Sequence, residues 1–245
     1  MYDYASILVH AHSCNANCIK CYGRYEPFNS LKPNIDYYTG NATFHNLEKF
    51  LDKVNTNKIR YISISGVHGD PCQANNINNL IEYIRDNNKN LTISLHTNAL
   101  HPQSTEIINQ CDKATITYPS FIPYVYKDIM RVPYFFDIKK SIKKYKTPIK
   151  LSMLLPSTCT PALLDHYIYS CRGIGVKRIV LRQIMGEEPL MFPYRMLKPY
   201  YARNFKNNKV YDVDGVEVTI WDWEKTSITG LYLMPNGKIT DVFSI

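Results

Sequence analysis

The chain has 245 residues, 45% of them hydrophobic and 20% charged. That is enough apolar material for one sizeable α/β core and too much for a disordered or low-complexity chain. No apolar run approaches the roughly 20 residues that cross a bilayer, residues 1–9 lack the basic and apolar regions of an export signal, and an odd count of seven cysteines argues against a disulfide framework.

A soluble, cytoplasmic protein is therefore expected, with no membrane partner. The formal net charge of +8 comes largely from Lys139, Lys140, Lys143, Lys144 and Lys146, which fall mainly opposite the apolar stripe of one helix and read as a solvated face. No nucleic-acid-binding motif accompanies them, so nucleic acid is not indicated as a partner. Such a surface suits an acidic protein partner.

In chain order, short β-branched runs fall at residues 5–11, 59–65, 91–97, 113–118, 148–155 and 177–184. Between them lie stretches of helical period: Phe44, Leu47, Leu51, Val54; Ile77, Leu80, Ile81, Ile84; Phe135, Ile138, Ile142, Tyr145; and Leu163, Leu164, Tyr167, Ile168. Thr160 followed by Pro161 reads as an N-cap and first-turn proline opening the last of these. The alternation predicts parallel β/α units closing into an open, partial (β/α)6 TIM-like barrel over residues 1–205. Residues 206–245 predict a small β appendage on the same domain, with strands at 216–221 and 231–234 and a hairpin turn at Pro235-Asn236-Gly237 leading into 238–242. Trp221, Trp223 and Tyr232 read as packing residues.

The chemistry-bearing residues start directly after the first strand. Cys14, Cys18 and Cys21 are spaced C-x3-C-x2-C. Three thiolates on one loop hold three corners of an iron–sulfur cubane and leave the fourth iron open to a small molecule. The competing reading is a zinc site on a non-catalytic α/β module, with His10 or His12 as fourth ligand. Cys72, Cys111, Cys159 and Cys171 are scattered and read as core thiols in a reducing compartment. The second strand ends in Ser65-Gly66-Val67-His68-Gly69-Asp70-Pro71, where glycine permits a sharp turn and close approach of a ligand, or where Asp70 simply starts the next helix.

The cysteine spacing after strand one resembles the signature of the radical S-adenosylmethionine (radical SAM) superfamily. The resemblance covers about residues 5–190 and implies one 4Fe-4S cluster on Cys14, Cys18 and Cys21. It further implies S-adenosylmethionine held through its amino and carboxylate groups on the open iron. One electron, from a donor such as a flavodoxin or ferredoxin, then yields a 5'-deoxyadenosyl radical that abstracts hydrogen from substrate. Lys20 departs from the aromatic residue usual before the third cysteine, and Tyr22 is a substitute for it. Gly69 and Asp70 resemble part of the GGEP-type segment that meets the methionyl amino group, with His68 and Asp70 departing from its glycine and glutamate. Thr97-Asn98 resembles the family's third-strand ending, and Arg131 the arginine that forks onto the methionyl carboxylate. Thr117, Ser152 and Arg182 or Gln183 are implied ribose or adenine contacts, strand parity deciding which face them. The tail resembles the LxxxPDG-type hairpin of groups acting on peptides or nucleotide-like molecules, so a peptide or small-molecule substrate is implied ahead of a glycyl-radical-enzyme activase.

Overall fold

The computed structural model describes residues 2–10, 14–24, 46–67 and 69–241. His12, Phe44, His68 and Val242 lie outside them, as does the side chain of His10. The chain runs β1 (Tyr4–His10), α1 (Leu47–Thr56), β2 (Tyr61–Val67), α2 (Ile77–Asn87), β3 (Thr92–Thr97), α3 (Ser104–Asn109), β4 (Lys113–Thr117), α4 (Pro123–Met130), α5 (Ile138–Ser141), β5 (Ile149–Leu155), α6 (Pro161–Gly173) and β6 (Arg178–Gln183). It continues through α7 (Phe192–Leu197), β7 (Tyr201–Phe205), β8 (Asn208–Val213), β9 (Val216–Trp221), β10 (Gly230–Leu233) and β11 (Ile239–Thr240). The six predicted strands are β1 to β6, each within two residues of its expected ends.

All strands join one sheet in the order β11-β10-β1-β2-β3-β4-β5-β6-β9-β8-β7. Every pair from β10 through β9 is parallel, as expected of βα units wound in one sense. Alternation along each strand sorts the side chains. Ile7, Ile62, Ile64, Leu95, Ile116 and Leu151 pack with the helices in the main core, which Phe50 of α1, Leu80 of α2 and Tyr167 of α6 close from outside. The intervening residues face the other side, the barrel lumen.

Local chemistry explains the helix starts. The Thr160 hydroxyl accepts from Leu163 N–H (3.3 Å) with Pro161 in the first turn, and Asp137 caps the short α5 through Lys139 N–H (3.1 Å). The predicted helix at 135–145 is only α5 followed by one 3-10 turn. The periodicity of four apolar residues overstated a segment whose Phe135 and Phe136 pack around Tyr118 instead. The five lysines of this stretch are exposed.

The C-terminal residues reach both edges of the sheet. β10 and β11 are the predicted hairpin, yet β10 also lies parallel to β1. β9 adds in parallel to β6 and carries β8 and β7 antiparallel beyond it. Asp214 and Gly215 both have positive φ in the β8–β9 turn, a geometry that matches the strand twist and suits glycine. The two edges are tied together: Lys206, in the β7–β8 turn, pairs with Asp3 ahead of β1, and its carbonyl accepts from Ser227 N–H (3.1 Å). The sheet thus curls into an open barrel. Among the described residues no helix is long and apolar enough to cross a membrane.

Candidate active site at the cysteine loop

The loop carrying Cys14, Cys18 and Cys21 lies at the C-terminal ends of the strands, where β/α barrels place reacting groups. Four attachments fix it. Asn17 N–H and Ile19 N–H donate to the carbonyls of Met130 and Ile129 (both 3.0 Å), which are among the orphan acceptors at the C-terminus of α4. Asn15 N–H donates to Gln73 Oε1 (2.8 Å). Asn98, just past β3, donates from Nδ2 to Asn15 Oδ1 (2.7 Å) and reaches the Cys14 sulfur at 3.7 Å. Lys20, in the position usually aromatic, pairs with Glu187 beyond β6.

Cys14 is exposed, and Cys18 and Cys21 are half-buried. Burial pushes the Cys18 thiol up to about 12, with the negative charge of Cys21 and Cys14 adding to it. Burial raises Cys14 as well, opposed by backbone N–H groups of Ala16 and Asp70 directed at its sulfur. Charge on any one of the three sulfurs would make the others harder to ionise, so a cation beside them would favour their thiolate forms. Among the described residues no three His, Cys, Asp or Glu side chains converge on a single ion. A cubane does not require that, because each thiolate binds its own iron. The donor set fits a cluster.

Asp70 is 5% exposed and joins the ends of β2 and β3. Its Oδ1 accepts from Cys72 N–H (3.0 Å) and the Thr97 hydroxyl (2.7 Å), and its Oδ2 from Asn98 N–H (2.5 Å). Asp70 thereby caps the 3-10 turn Pro71–Gln73. Burial still raises its pKa despite these donors. Thr97 faces the helix side, bonded to Asp70 and Cys72. Gly66 explains the tightness of this corner, since a Cβ there would lie 1.8 Å from the Gly69 carbonyl oxygen and 3.0 Å from Pro71 Cδ. Gly66→Ala is expected to displace the 66–71 turn and cost about 1–3 kcal/mol, checked by denaturant unfolding; unchanged stability would show the turn to be free to move.

Arg182, Thr117 and Ser152 face the lumen. Arg182 Nη2 donates to Thr117 Oγ1 (3.2 Å), and its guanidinium lies close enough to Cys18, Cys21 and Tyr22 to feel their charge. Arg182 Nε, Ser152 Oγ and Trp221 Nε1 are buried without a hydrogen-bond partner among the described residues. Three orphaned polar atoms on adjacent strands leave hydrogen-bonding capacity on the lumen side of β5, β6 and β9. Tyr22 donates its hydroxyl to the Gly66 carbonyl and packs with Leu8, Val67, Tyr232 and Met234. Gln183 turns away, bonding Leu190 through both amide atoms. Arg131 also stays apart: it ends α4 in the left-handed conformation, exposed, 3.7 Å from Asp128. Asn98, part of the Thr97-Asn98 strand ending, contacts the cysteine loop, and Gln73 is a contact that the sequence did not single out.

SuiB of Streptococcus suis superposes on 99% of this chain and 60% of its own with a TM-score of 0.67 and 12% identity. SuiB bound to its precursor peptide SuiA gives 0.59 over 81% of this chain and 45% of its own at 14% identity. Queuine lyase from Clostridium spiroforme, bound to SAM and queuine, gives 0.51 over 75% and 77% at 12% identity. The chain shares the fold of these structures. It spans between 44% and 60% of SuiB across three SuiB structures. No protein-family model and no curated protein matches the sequence. The likeness is therefore one of fold, and the cysteine loop occupies the C-terminal strand ends of that fold.

Proposed function

We propose that this chain is a radical SAM enzyme, with Cys14, Cys18 and Cys21 holding one 4Fe-4S cluster. The observation that carries the reading is the C-x3-C-x2-C loop at the mouth of a barrel whose solved neighbours include SuiB and queuine lyase structures bound to S-adenosylmethionine. A reduced cluster held by Cys14, Cys18 and Cys21 would supply the one electron that splits S-adenosylmethionine into methionine and a 5'-deoxyadenosyl radical able to take hydrogen from substrate.

The chain's own residues supply the frame. Asn98 and Gln73 hold the cysteine loop in register. Asp70, fixed by three donors, directs a backbone N–H at Cys14 and keeps the Gly69 corner closed against the S-adenosylmethionine space. Arg182, Thr117 and Ser152 line that space, with unpaired atoms on Arg182 and Ser152 offered to the nucleoside. Arg131 reaches the methionyl carboxylate only by leaving Asp128.

The substrate is a peptide or a small, nucleotide-like molecule: one neighbour is bound to a precursor peptide and another to queuine. The electron donor is a flavodoxin or ferredoxin, acidic proteins suited to the exposed lysines 139–146. The free thiols suit the cytoplasm.

The test is anaerobic reconstitution with iron and sulfide, then dithionite reduction with S-adenosylmethionine. A brown protein that releases 5'-deoxyadenosine is expected. A colourless protein holding one zinc would replace this reading with a zinc-binding module.

A further inference from the structure

The charge of the lumen is one-sided. Parallel register sets His96 on β3 beside Thr115 on β4, Thr115 beside Lys150 on β5, Lys150 beside Arg178 on β6, and Arg178 beside Glu217 on β9. These side chains alternate with the helix-facing core residues, so the row crosses the lumen wall. Among the described charged residues on this face of β3, β4, β5, β6 and β9, Lys150 and Arg182 are the enclosed basic ones, Lys113 and Arg178 are exposed at the starts of β4 and β6, and Glu217 alone is acidic. Glu217 is already engaged: Oε1 accepts from Arg178 Nε (3.1 Å) and Oε2 from Arg203 Nη2 (2.7 Å). Lys113 lies over the Tyr61 ring, 5.6 Å from its centre. Lys150 is left without a carboxylate in contact among the described residues.

Burial and the neighbouring Arg178, Lys113 and Arg182 lower the Lys150 pKa to about 8, Glu217 opposing them. His96 keeps accessible surface although protein encloses it, so it borders open space in the lumen. Its imidazole is pushed down by that confinement first and by Lys150 and Arg182 second. Arg182 lies four residues beyond Arg178 along β6, nearer the C-terminal strand ends and the cysteine loop, and bonds Thr117 of β4 across the lumen side. An uncompensated Lys150 ammonium in a confined lumen is costly, and an anion accepting hydrogen bonds from it relieves that cost.

We propose that the lumen beyond Arg182 binds an anionic substrate, its carboxylate or phosphate group cradled by the Lys150 ammonium, the Thr115 hydroxyl and His96. This rests on the lumen being the reaction chamber of the radical SAM enzyme proposed above. It narrows the substrate class to molecules that carry an acid group at one end and present the reacting carbon toward the cysteines.

The experiment is calorimetric titration of the reconstituted, S-adenosylmethionine-bound protein with inorganic phosphate and, separately, succinate at constant ionic strength. Saturable binding of one anion is expected, weakened roughly tenfold or more in Lys150→Gln, as loss of a charged hydrogen bond implies, with iron content and melting temperature unchanged. Preference for phosphate identifies a phosphate ester, and preference for succinate a carboxylate. Thr115→Val on the same row replaces Lys150→Gln should that variant fail to fold. If neither anion saturates the protein, or if both variants bind like the parent, the proposal is overturned. The outcomes are distinguishable: 5'-deoxyadenosine release without anion binding removes the anion site alone, and anion binding without S-adenosylmethionine cleavage leaves an anion site but removes the enzyme reading and with it the substrate role of that anion.

Discussion

Cys18→Ala protein is expected to leave anaerobic reconstitution colourless, with iron content at background and no 5'-deoxyadenosine formed. Cys18 is the middle cysteine of the loop, its thiol pushed up to about 12 by burial and its sulfur 3.6 Å from Met130 Sδ. Two remaining thiolates leave two corners of a cubane without protein ligands, and no neighbouring thiol takes over. Cys72 is 2% exposed and held against Thr97 at 3.3 Å, on the helix side of the sheet. Because Ile19 N–H and Asn17 N–H still cap α4, the melting temperature of the metal-free protein should change little. Iron analysis and product chromatography check the result. A Cys18→Ala protein that keeps its iron and its cleavage activity would remove Cys18 from the ligand set.

Asp70→Ala is expected to lower stability by on the order of 3 kcal/mol, because it strands Cys72 N–H, the Thr97 hydroxyl and Asn98 N–H in a buried corner, each at about 1–3 kcal/mol if left wholly unpaired. For a domain of this size that is a fall of roughly 6–12 °C in melting temperature. Released Asn98 also loosens its grip on Asn15 and Cys14, so S-adenosylmethionine binding should weaken together with stability. The resemblance implies instead a direct contact between Asp70 and the methionyl ammonium. Those two roles differ in readout: a melting temperature equal to the parent with weakened S-adenosylmethionine binding would assign Asp70 to the ligand, whereas a large fall in both assigns it to the scaffold. Calorimetry of the protein with and without S-adenosylmethionine makes the measurement.

Strand periodicity carried most of the fold. β-branched runs bounded by polar turns reported β1 to β6 because each strand is buried on its helix face by its own residues. The short α3 and α4 carried too few turns to stand out, and α4 turned out to hold the cysteine loop through its terminal carbonyls. The Asp214-Gly215 pair is a hairpin signal legible in the sequence, and it forms the β8–β9 turn. In the site, residue type and spacing singled out the three cysteines, since thiolate chemistry is local to one loop.

The sequence by itself determined the β/α alternation, the cysteine loop after the first strand and the excess of basic residues, since each is a matter of short-range pattern and residue type. Only the tertiary structure decided that β9 and β10 complete opposite edges of the sheet, that Asp70 spends its carboxylate on Cys72, Thr97 and Asn98, that Arg182 lies inside while Arg131 lies outside, and that His96, Thr115 and Lys150 share one row. The reason is physical. Strand pairing, register and lumen electrostatics join residues tens to hundreds of positions apart, and the energy that selects them comes from packing and hydrogen bonds that exist only once the sheet has curled.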